Sequence, residues 1–352
     1  MIDILIDPVI AMAPSEEASK EEVEVWLKSL DLWLTEALSS PFTWLYAKET
    51  IDDLLYDNRF PSPEILFRWQ RKYRLNSNIS SINAKISKFF NREEHDSHLN
   101  SRLEKMGYVV ITMPGSVVIT PGQFAARWTD AVNNHMCELL ATACVCKHNG
   151  ELFAEKMRIA TLMVENTARE IEVSAIITES LPNLELSDNQ INQTFPLIFT
   201  PVDLEPLFNI VDCWDKGQIG VNYAIKRQYK RDWYSISPDP LPYEMHSRFI
   251  SSVVERKNMT DILLHKIIRT MGSVIADKPD LLQYKPHWLR EREESHTPQL
   301  LRPTDGATAW RITVTHDGAG WRMHYWRKVD LEGNVKIEFS NILTKKEAVF
   351  IY

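Results

Sequence analysis

Three acidic residues have the side chains and positions that could support catalysis. Asp7 directly follows a short apolar run, Glu49 precedes a strongly basic segment, and Asp130 lies at the expected start of a later helix. Open parallel sheets place their sites beyond the carboxyl ends of the strands, where Asp7 is expected. Two or three converging acids, with Asp52 as an alternative to Glu49, could hold Mg²⁺ or Mn²⁺ for phosphodiester cleavage. The competing interpretation is that Asp7-Pro8 only ends a strand and that the other acids are solvated.

The order of these acids resembles that of PIN-domain nucleases over residues 1–180, with an Asp after the first strand, an acid mid-chain and an Asp at a later helix start. The resemblance implies a metal-dependent nuclease or toxin effector, for which Mg²⁺ or Mn²⁺ would be the cofactor. The chain departs from the family because Pro8 follows Asp7, where the family has Thr or Ser with Asn. An expected hairpin and extra helices are further departures from a compact PIN domain.

One expected helix carries cysteine and histidine side chains that could ligate zinc. At 3.6 residues per turn, Cys137, Cys144 and His148 fall on one face. Structural zinc sites usually draw ligands from turns and two chain segments, and the sequence has no CxxC pair. Cysteine is also often buried as a small apolar residue, so we do not predict a metal site here.

A basic segment at residues 65–92 contains seven bases and no acid, in a chain whose formal charge is −8. Its bases alternate with aromatic residues, a combination that suits a polyanion such as nucleic acid. A second basic-aromatic segment lies near Arg227. The candidate phosphate contacts in the two segments are Arg68, Arg71, Lys72, Arg74, Lys85, Lys88, Arg227, Lys230 and Arg231, and Arg92 completes the first run. The alternatives are a solvated surface of two helices, or a surface that docks an acidic protein partner.

The last part of the chain combines tryptophan and arginine in expected strands. Alternation places Arg322, His324 and Trp326 on one side of a strand and Arg327 on the other. Together with Arg311, these side chains could stack on bases and contact phosphates on an open sheet. A helix followed by such strands resembles the small RelE/ParE toxin fold, although no defining motif is present. The competing interpretation is that the tryptophans are core and the arginines are solvated.

The helix and strand patterns along the chain predict a mixed α+β fold that is mostly helical. We expect an N-terminal α/β domain at 1–180 with a short parallel-type strand and basic helices at 63–92. A linker and helical connector is expected at 181–245, followed by a C-terminal α+β domain at 246–352 with an antiparallel sheet at 309–352. Within the first domain we expect a hairpin at 108–120, helices at 124–148 and 151–169, and a strand at 172–178.

Composition narrows the function classes. No apolar run approaches the length of a membrane span, so no membrane association is expected. Four cysteines in 352 residues indicate a reducing, cytoplasmic compartment. No Walker loop, GxGxxG, GxSxG or HExxH motif is present. Nucleotide hydrolysis, dinucleotide chemistry and the common hydrolase mechanisms therefore lose support.

The function expected from the sequence is that of a nucleic-acid-associated subunit of a multiprotein machine, which binds DNA or RNA and a protein partner or a second copy of itself. One alternative is the PIN-like nuclease or toxin effector, in a setting such as microbial anti-phage defence. Another is a non-enzymatic protein-interaction subunit.

Overall fold

The computed structural model describes residues 2–91, 98–112, 115–162, 169–182, 190–256, 259–278, 281, 285–290, 297–316, 318–347 and 351. The chain divides into two compact units, Met1–Phe208 (unit 1) and Asn209–Tyr352 (unit 2). Each unit has helices and one sheet, so the expected α+β class is confirmed.

Unit 1 is built on a mixed sheet. Its strands are β1 (Asp3–Ile6), β2 (Thr43–Leu45), β3 (Val109–Thr112), β4 (Val118–Thr120), β5 (Arg158–Ala160), β6 (Glu170–Leu181) and β7 (Gln190–Ile198). The strand order is β2-β1-β5-β7-β6-β3, and β4 also pairs with β6. The pairings of β1 with β2, β1 with β5 and β5 with β7 are parallel, whereas β6 is antiparallel to β7, β3 and β4. All four residues of β1 are buried, as is typical of a strand in a covered parallel sheet.

Nine helices and one 3₁₀ helix are described in unit 1. They are α1 (Pro8–Ala11), α2 (Lys20–Ser39), α3 (Lys48–Tyr56), α4 (Pro63–Tyr73), α5 (Ile79–Phe90), α6 (Leu99–Lys105), α7 (Gly122–Ala125), α8 (Asp130–His148), α9 (Leu152–Lys156) and the 3₁₀ helix Pro201–Leu207.

The basic segment forms α4 and α5, the two amphipathic helices expected from its pattern. The Ser62 side chain caps α4 by accepting from the backbone N–H of Ile65, and Pro63 occupies the first turn. Asn78 caps α5 in the same way. The apolar sides of both helices are buried in the core of unit 1, and α5 packs against α2.

Three local expectations differ from the structure, because pairing with distant strands determines the secondary structure of these segments. β3 and β4 do not form a hairpin, since both pair antiparallel with β6, at 177–181 and 172–174, and so follow one edge in succession. The expected helix at 151–169 ends at Lys156, and β5 follows between β1 and β7; residues 163–168 lie outside the described residues. The expected linker contains β7, whose residues Ile191 and Phe195 are buried.

Unit 2 contains a second sheet and four described helices. The strands are β8 (Tyr243–Met245), β9 (His287–Trp288), β10 (Thr308–Thr313), β11 (Trp321–Val329) and β12 (Val335–Thr344), and the helices are α10 (Ile210–Asp215), α11 (Gly217–Asp232), α12 (Ser251–Val254) and α13 (Asp261–Ile275). The order is β8-β12-β11-β10-β9, antiparallel except for the parallel pair β8 and β12. The expected strands near 310, 321 and 336 are therefore present. Apart from Ile351, the strand expected at 348–352 lies outside the described residues.

A glycine permits the close contact between α10 and α11. A Cβ added to Gly220 would lie 2.0 Å from the backbone oxygen of Cys213, so any larger residue must separate the two helices. No helix within the described ranges is both long and apolar enough to cross a bilayer.

Candidate functional site

The Asp7 carboxylate is fully buried and surrounded by donors. Its Oδ1 accepts from the backbone N–H of Val9 at 3.0 Å and from Nε1 of Trp128 at 2.8 Å. Its Oδ2 accepts from Nη2 of Arg127 at 2.9 Å and from Oγ1 of Thr161 at 2.5 Å. A carboxylate offers about four lone-pair positions, so these donors occupy all of them.

The elements around Asp7 explain why the donors meet there. Asp7 caps α1 directly after β1, Thr161 directly follows the neighbouring β5, and Arg127 and Trp128 come from the connection between α7 and α8. The Arg127 side chain is mostly buried and also donates to the backbone oxygen of Leu162 at 3.0 Å. Asp7 therefore links three parts of unit 1 and leaves no oxygen position for a metal ion.

The three predicted catalytic acids are not brought together. Glu49 lies in the first turn of α3 and accepts from Nδ2 of Asn100 at 2.6 Å, and Asp130 is exposed in the first turn of α8. Neither shares a described contact with Asp7, and Asp52 is exposed on α3. Over the described part of the chain, no group of three His, Cys, Asp or Glu residues is placed to hold a metal ion. The expected convergence around Mg²⁺ or Mn²⁺ is absent from this geometry.

Glu49 instead lines a cavity of about 330 Å³ in unit 1. The wall is formed by α3, α6, α8 and β3, and its lining residues are Glu49, Asn100, Leu103, Glu104, Tyr108, Val109, Val110, His135, Glu138, Leu139 and Thr142. Oε2 of Glu49 and Oδ1 of Asn100 are buried and have no hydrogen-bond partner among the described residues. We call this the acidic cavity.

The cysteine-bearing helix α8 does not present a zinc site. Cys144 is fully buried, and its thiol lies 3.9 Å from the backbone oxygen of Val173, whereas His148 is exposed. Burial raises the pKa of both the Cys144 and the Cys146 thiol to about 12, which disfavours the thiolate that a metal would need. All four cysteines, including Cys137 and Cys213, are free.

Acids from neighbouring segments neutralise part of the basic segment. Arg68 pairs with Glu16 at 2.6 Å, and Lys85 pairs with Asp31 of α2 at 2.6 Å. Nζ of Lys72 donates to the backbone oxygen of Glu16 at 2.6 Å. These contacts join α4 and α5 to the rest of unit 1, so Arg68 and Lys85 have structural partners.

Four cations of the basic segment are exposed, Lys72 among them although its Nζ contacts Glu16, and Arg92 lies outside the described residues. Arg71, Lys72 and Arg74 are exposed at the end of α4, and Lys88 is exposed at the end of α5. We call these four residues the basic patch. Of the aromatics on α4, Trp69 is buried and stacks on Tyr73 at 5.6 Å between ring centroids, so it is not available for stacking on bases, whereas Phe67 is exposed.

The second basic segment lies on α11 and is also partly engaged. The Arg227 guanidinium donates to the Tyr223 hydroxyl at 2.8 and 3.0 Å. Arg231 pairs with Asp232 at 2.9 Å, and Lys230 is exposed. The segment contributes two exposed lysines, Lys226 and Lys230, and a partly exposed ion pair.

The sheet of unit 2 confirms the expected alternation. Arg322, His324 and Trp326 stand opposite Thr313, Arg311 and Ala309 of β10, so the three β11 residues share one side. Arg327 pairs with Asp277 at 2.7 Å. Trp326 is buried, so it is not a platform for a base.

His324 is a buried polar residue whose environment the sequence pattern does not reveal. It has no solvent exposure, its Nδ1 lies 2.8 Å from Oδ1 of Asn341, and its Nε2 has no hydrogen-bond partner within the described ranges. Burial, together with the positive charges of Arg311 and Arg322, lowers the pKa of His324 to about 4 against the opposing effect of Asn341. The ring is therefore neutral near pH 7.

Sequence reasoning missed the acidic cavity as a site, because its residues come from four separate segments. The only local signal is the spacing of His135, Glu138 and Thr142, which puts them on one face of α8. The charge of Glu49 makes it a candidate in the sequence, but its partner Asn100 has no distinguishing sequence context. In comparisons with known proteins, no family model, curated protein or solved structure matches this chain.

Proposed function

We propose that this chain associates with nucleic acid, as a subunit of a larger assembly in a reducing, cytoplasmic compartment. The observation that carries the proposal is the basic patch, in which four cations are exposed within a stretch that contains no acid. Phosphate contacts of this kind position a backbone without reading its sequence, so either DNA or RNA could be bound. The saturated Asp7 carboxylate gives no support to the nuclease alternative.

Some cations of α4 and α5 hold the helices in place, and others face solvent, which supports a patch with a fixed geometry. Arg68 and Lys85 are tied to Glu16 and Asp31, and the apolar sides of both helices are buried. The patch residues lie in or just after the last turns, so their charges also complement the negative ends of the helix dipoles. A phosphate backbone would contact these four exposed side chains, of which Lys72 already donates to the backbone oxygen of Glu16.

The test is fluorescence anisotropy with labelled single-stranded RNA, single-stranded DNA and duplex DNA over a salt series from about 50 to 200 mM. The variant replaces Arg71, Lys72, Arg74 and Lys88 with Gln. Each lost phosphate contact should flatten the slope of log affinity against log salt by about 0.7 to 0.9.

The matched control replaces four exposed lysines of unit 2, Lys266, Lys278, Lys285 and Lys346, with Gln, which changes the net charge equally. The control should bind with the slope of the unaltered chain. Equal weakening by both variants, or no salt-dependent binding of any probe, would contradict the proposal.

A second candidate function, a protein-interaction role, is favoured by the edge of the unit 1 sheet. Val109, Ile111 and Val118 on β3 and β4 are each about half exposed, at 51%, 52% and 55%. Exposed β-branched residues on an edge strand are prone to pair with another chain. Light scattering over a concentration series, with Ile111→Lys as the variant, tests self-association; a monomer at every concentration would rule out a second copy at this edge.

A further inference from the structure

The acidic cavity of unit 1 combines a defined volume with unsatisfied acceptors. It measures about 330 Å³, at the lower end of the range for small-molecule sites. Oε1 of Glu49 accepts from Nδ2 of Asn100, but Oε2 of Glu49 and Oδ1 of Asn100 are buried and have no donor in the described part of the chain. Buried acceptors are normally paired, so these two oxygens favour a ligand that brings hydrogen-bond donors.

The charge of the lining residues indicates the sign of charge that the ligand should carry. Besides Glu49, the wall contains Glu104 and Glu138, which are exposed and form no ion pair within the described residues, and it contains no Lys or Arg. The nearest base, His135, is already engaged, because its Nδ1 lies 2.7 Å from Oδ2 of Asp53. An anionic wall with low-dielectric sides attracts and concentrates cations.

The same wall discriminates among cations. The described residues offer no group of three ligands for a metal ion, and the volume exceeds that of a bare ion. Leu103, Leu139 and Val110 add apolar surface beside the carboxylates. This lining suits a short aliphatic chain that carries ammonium or guanidinium donors.

We propose that the acidic cavity binds a small aliphatic amine or guanidine. One cationic end donates to the buried oxygens of Glu49 and Asn100, and the aliphatic part lies along the leucine and valine side chains. Glu138 and Glu104 balance the remaining positive charge. This site is separate from the basic patch, and its occupancy does not depend on nucleic-acid binding.

Isothermal titration calorimetry of the full chain with agmatine and putrescine tests the proposal, with 1,4-butanediol as an uncharged analogue of similar length. Saturable binding of one of the cations and none of the diol is expected. Glu49→Gln and Glu138→Gln should each weaken binding at least about tenfold, which corresponds to about 1.4 kcal/mol. Glu138 is exposed, so its replacement keeps the test valid where the inner substitution affects folding.

Glu64→Gln is the matched control, because Glu64 is an exposed acid on α4 outside the cavity. It should leave the affinity unchanged. No saturable heat with either cation, equal binding of the diol, or equal weakening by Glu64→Gln would each overturn the proposal, the last because it shows only a general attraction to negative charge.

Discussion

Asp7 and Glu49 are acids of the same unit in opposite situations. Asp7 accepts from four donors contributed by α1, the residue after β5 and the α7–α8 connection. Within the residues that the structure describes, Glu49 has one donor, from Asn100, and its other oxygen is buried without a donor. Both residues are candidate metal ligands in the sequence. In the structure, Asp7 links three parts of unit 1, whereas Glu49 keeps an oxygen that could accept a further hydrogen bond. The two carboxylates therefore differ in the number of donors around them, which is four for Asp7 and one for Glu49 among the described residues.

The largest expected effect comes from Asp7→Ala. Removing the carboxylate leaves Arg127, whose side chain is only 16% exposed, without its ionic partner. Breaking a buried pair in this way costs about 3 to 5 kcal/mol of unfolding free energy. Urea denaturation measures the loss, and Asp130→Ala, an exposed acid, serves as control with an expected loss below about 1 kcal/mol. Equal losses of unfolding free energy for the two variants would contradict the linking role of Asp7.

His324 extends the comparison to unit 2, because it is buried with one ring nitrogen bonded to Asn341 and the other without a partner among the residues described. Its folded-state pKa of about 4 lies below the unfolded value of about 6.5, so the unfolded chain binds the proton more readily between these values. Stability should therefore be complete above about pH 6.5 and fall as the pH drops toward 4, by up to about 3 kcal/mol.

Denaturation of the unaltered chain and of His324→Gln over this pH range isolates the histidine contribution. The difference between the two free energies should vary with pH above 4. Carboxylates such as Glu347, whose pKa falls to about 2 through its bonds to Arg256 and Thr344 despite burial, lose stability at lower pH and cancel in the difference. A pH-independent difference would show that the ring is not a buried neutral base.

A smaller loss is expected when one of the four donors to Asp7 is removed. Thr161→Val keeps the shape of the buried side chain but deletes its hydroxyl, while three donors remain. A hydrogen bond to a charged group contributes about 1.5 to 3 kcal/mol. Denaturation should place this variant between the unaltered chain and Asp7→Ala. A loss as large as that of Asp7→Ala would mean that the donors act only as a complete set.

The smallest effect is expected for Glu49→Gln in the ligand-free chain. The amide oxygen can still accept from Asn100, and no cation is left behind, so the unfolding free energy should change by less than about 1 kcal/mol. The thermal midpoint measures this change. A loss similar to that of Asp7→Ala would make Glu49 a second linking acid and remove the contrast between the two sites.

The sequence predicts those parts of the fold whose information is local. The start of α4 follows from Ser62-Pro63-Glu64, because the cap, the proline and the first-turn acid act within a few residues. The shared side of Arg322 and His324 follows from strand alternation. By contrast, β5 and β7 are strands because they pair with distant neighbours, and such pairings outweigh local propensity.

The candidate sites divide in the same way. The exposed cations of the basic patch follow from helical spacing, since the apolar residues of α4 and α5 define the opposite side. The hydrogen-bond partners of Asp7 do not follow from local spacing, because Arg127 and Thr161 lie more than a hundred residues further along the chain. The Glu49–Asn100 pair is hidden for the same reason. Local patterns reveal what faces solvent, whereas the partners of a buried polar group depend on the tertiary fold.

The parallel half of the unit 1 sheet sets an order of events during synthesis. β1 pairs early with β2, but Ile6 must wait for Ala160, after most of unit 1 has been made. Pairings between distant segments form slowly and leave strand edges exposed in the meantime. In unit 2, β10, β11 and β12 are consecutive and can pair as they emerge. During synthesis, β1 therefore waits longer for its partner β5 than β11 waits for β12.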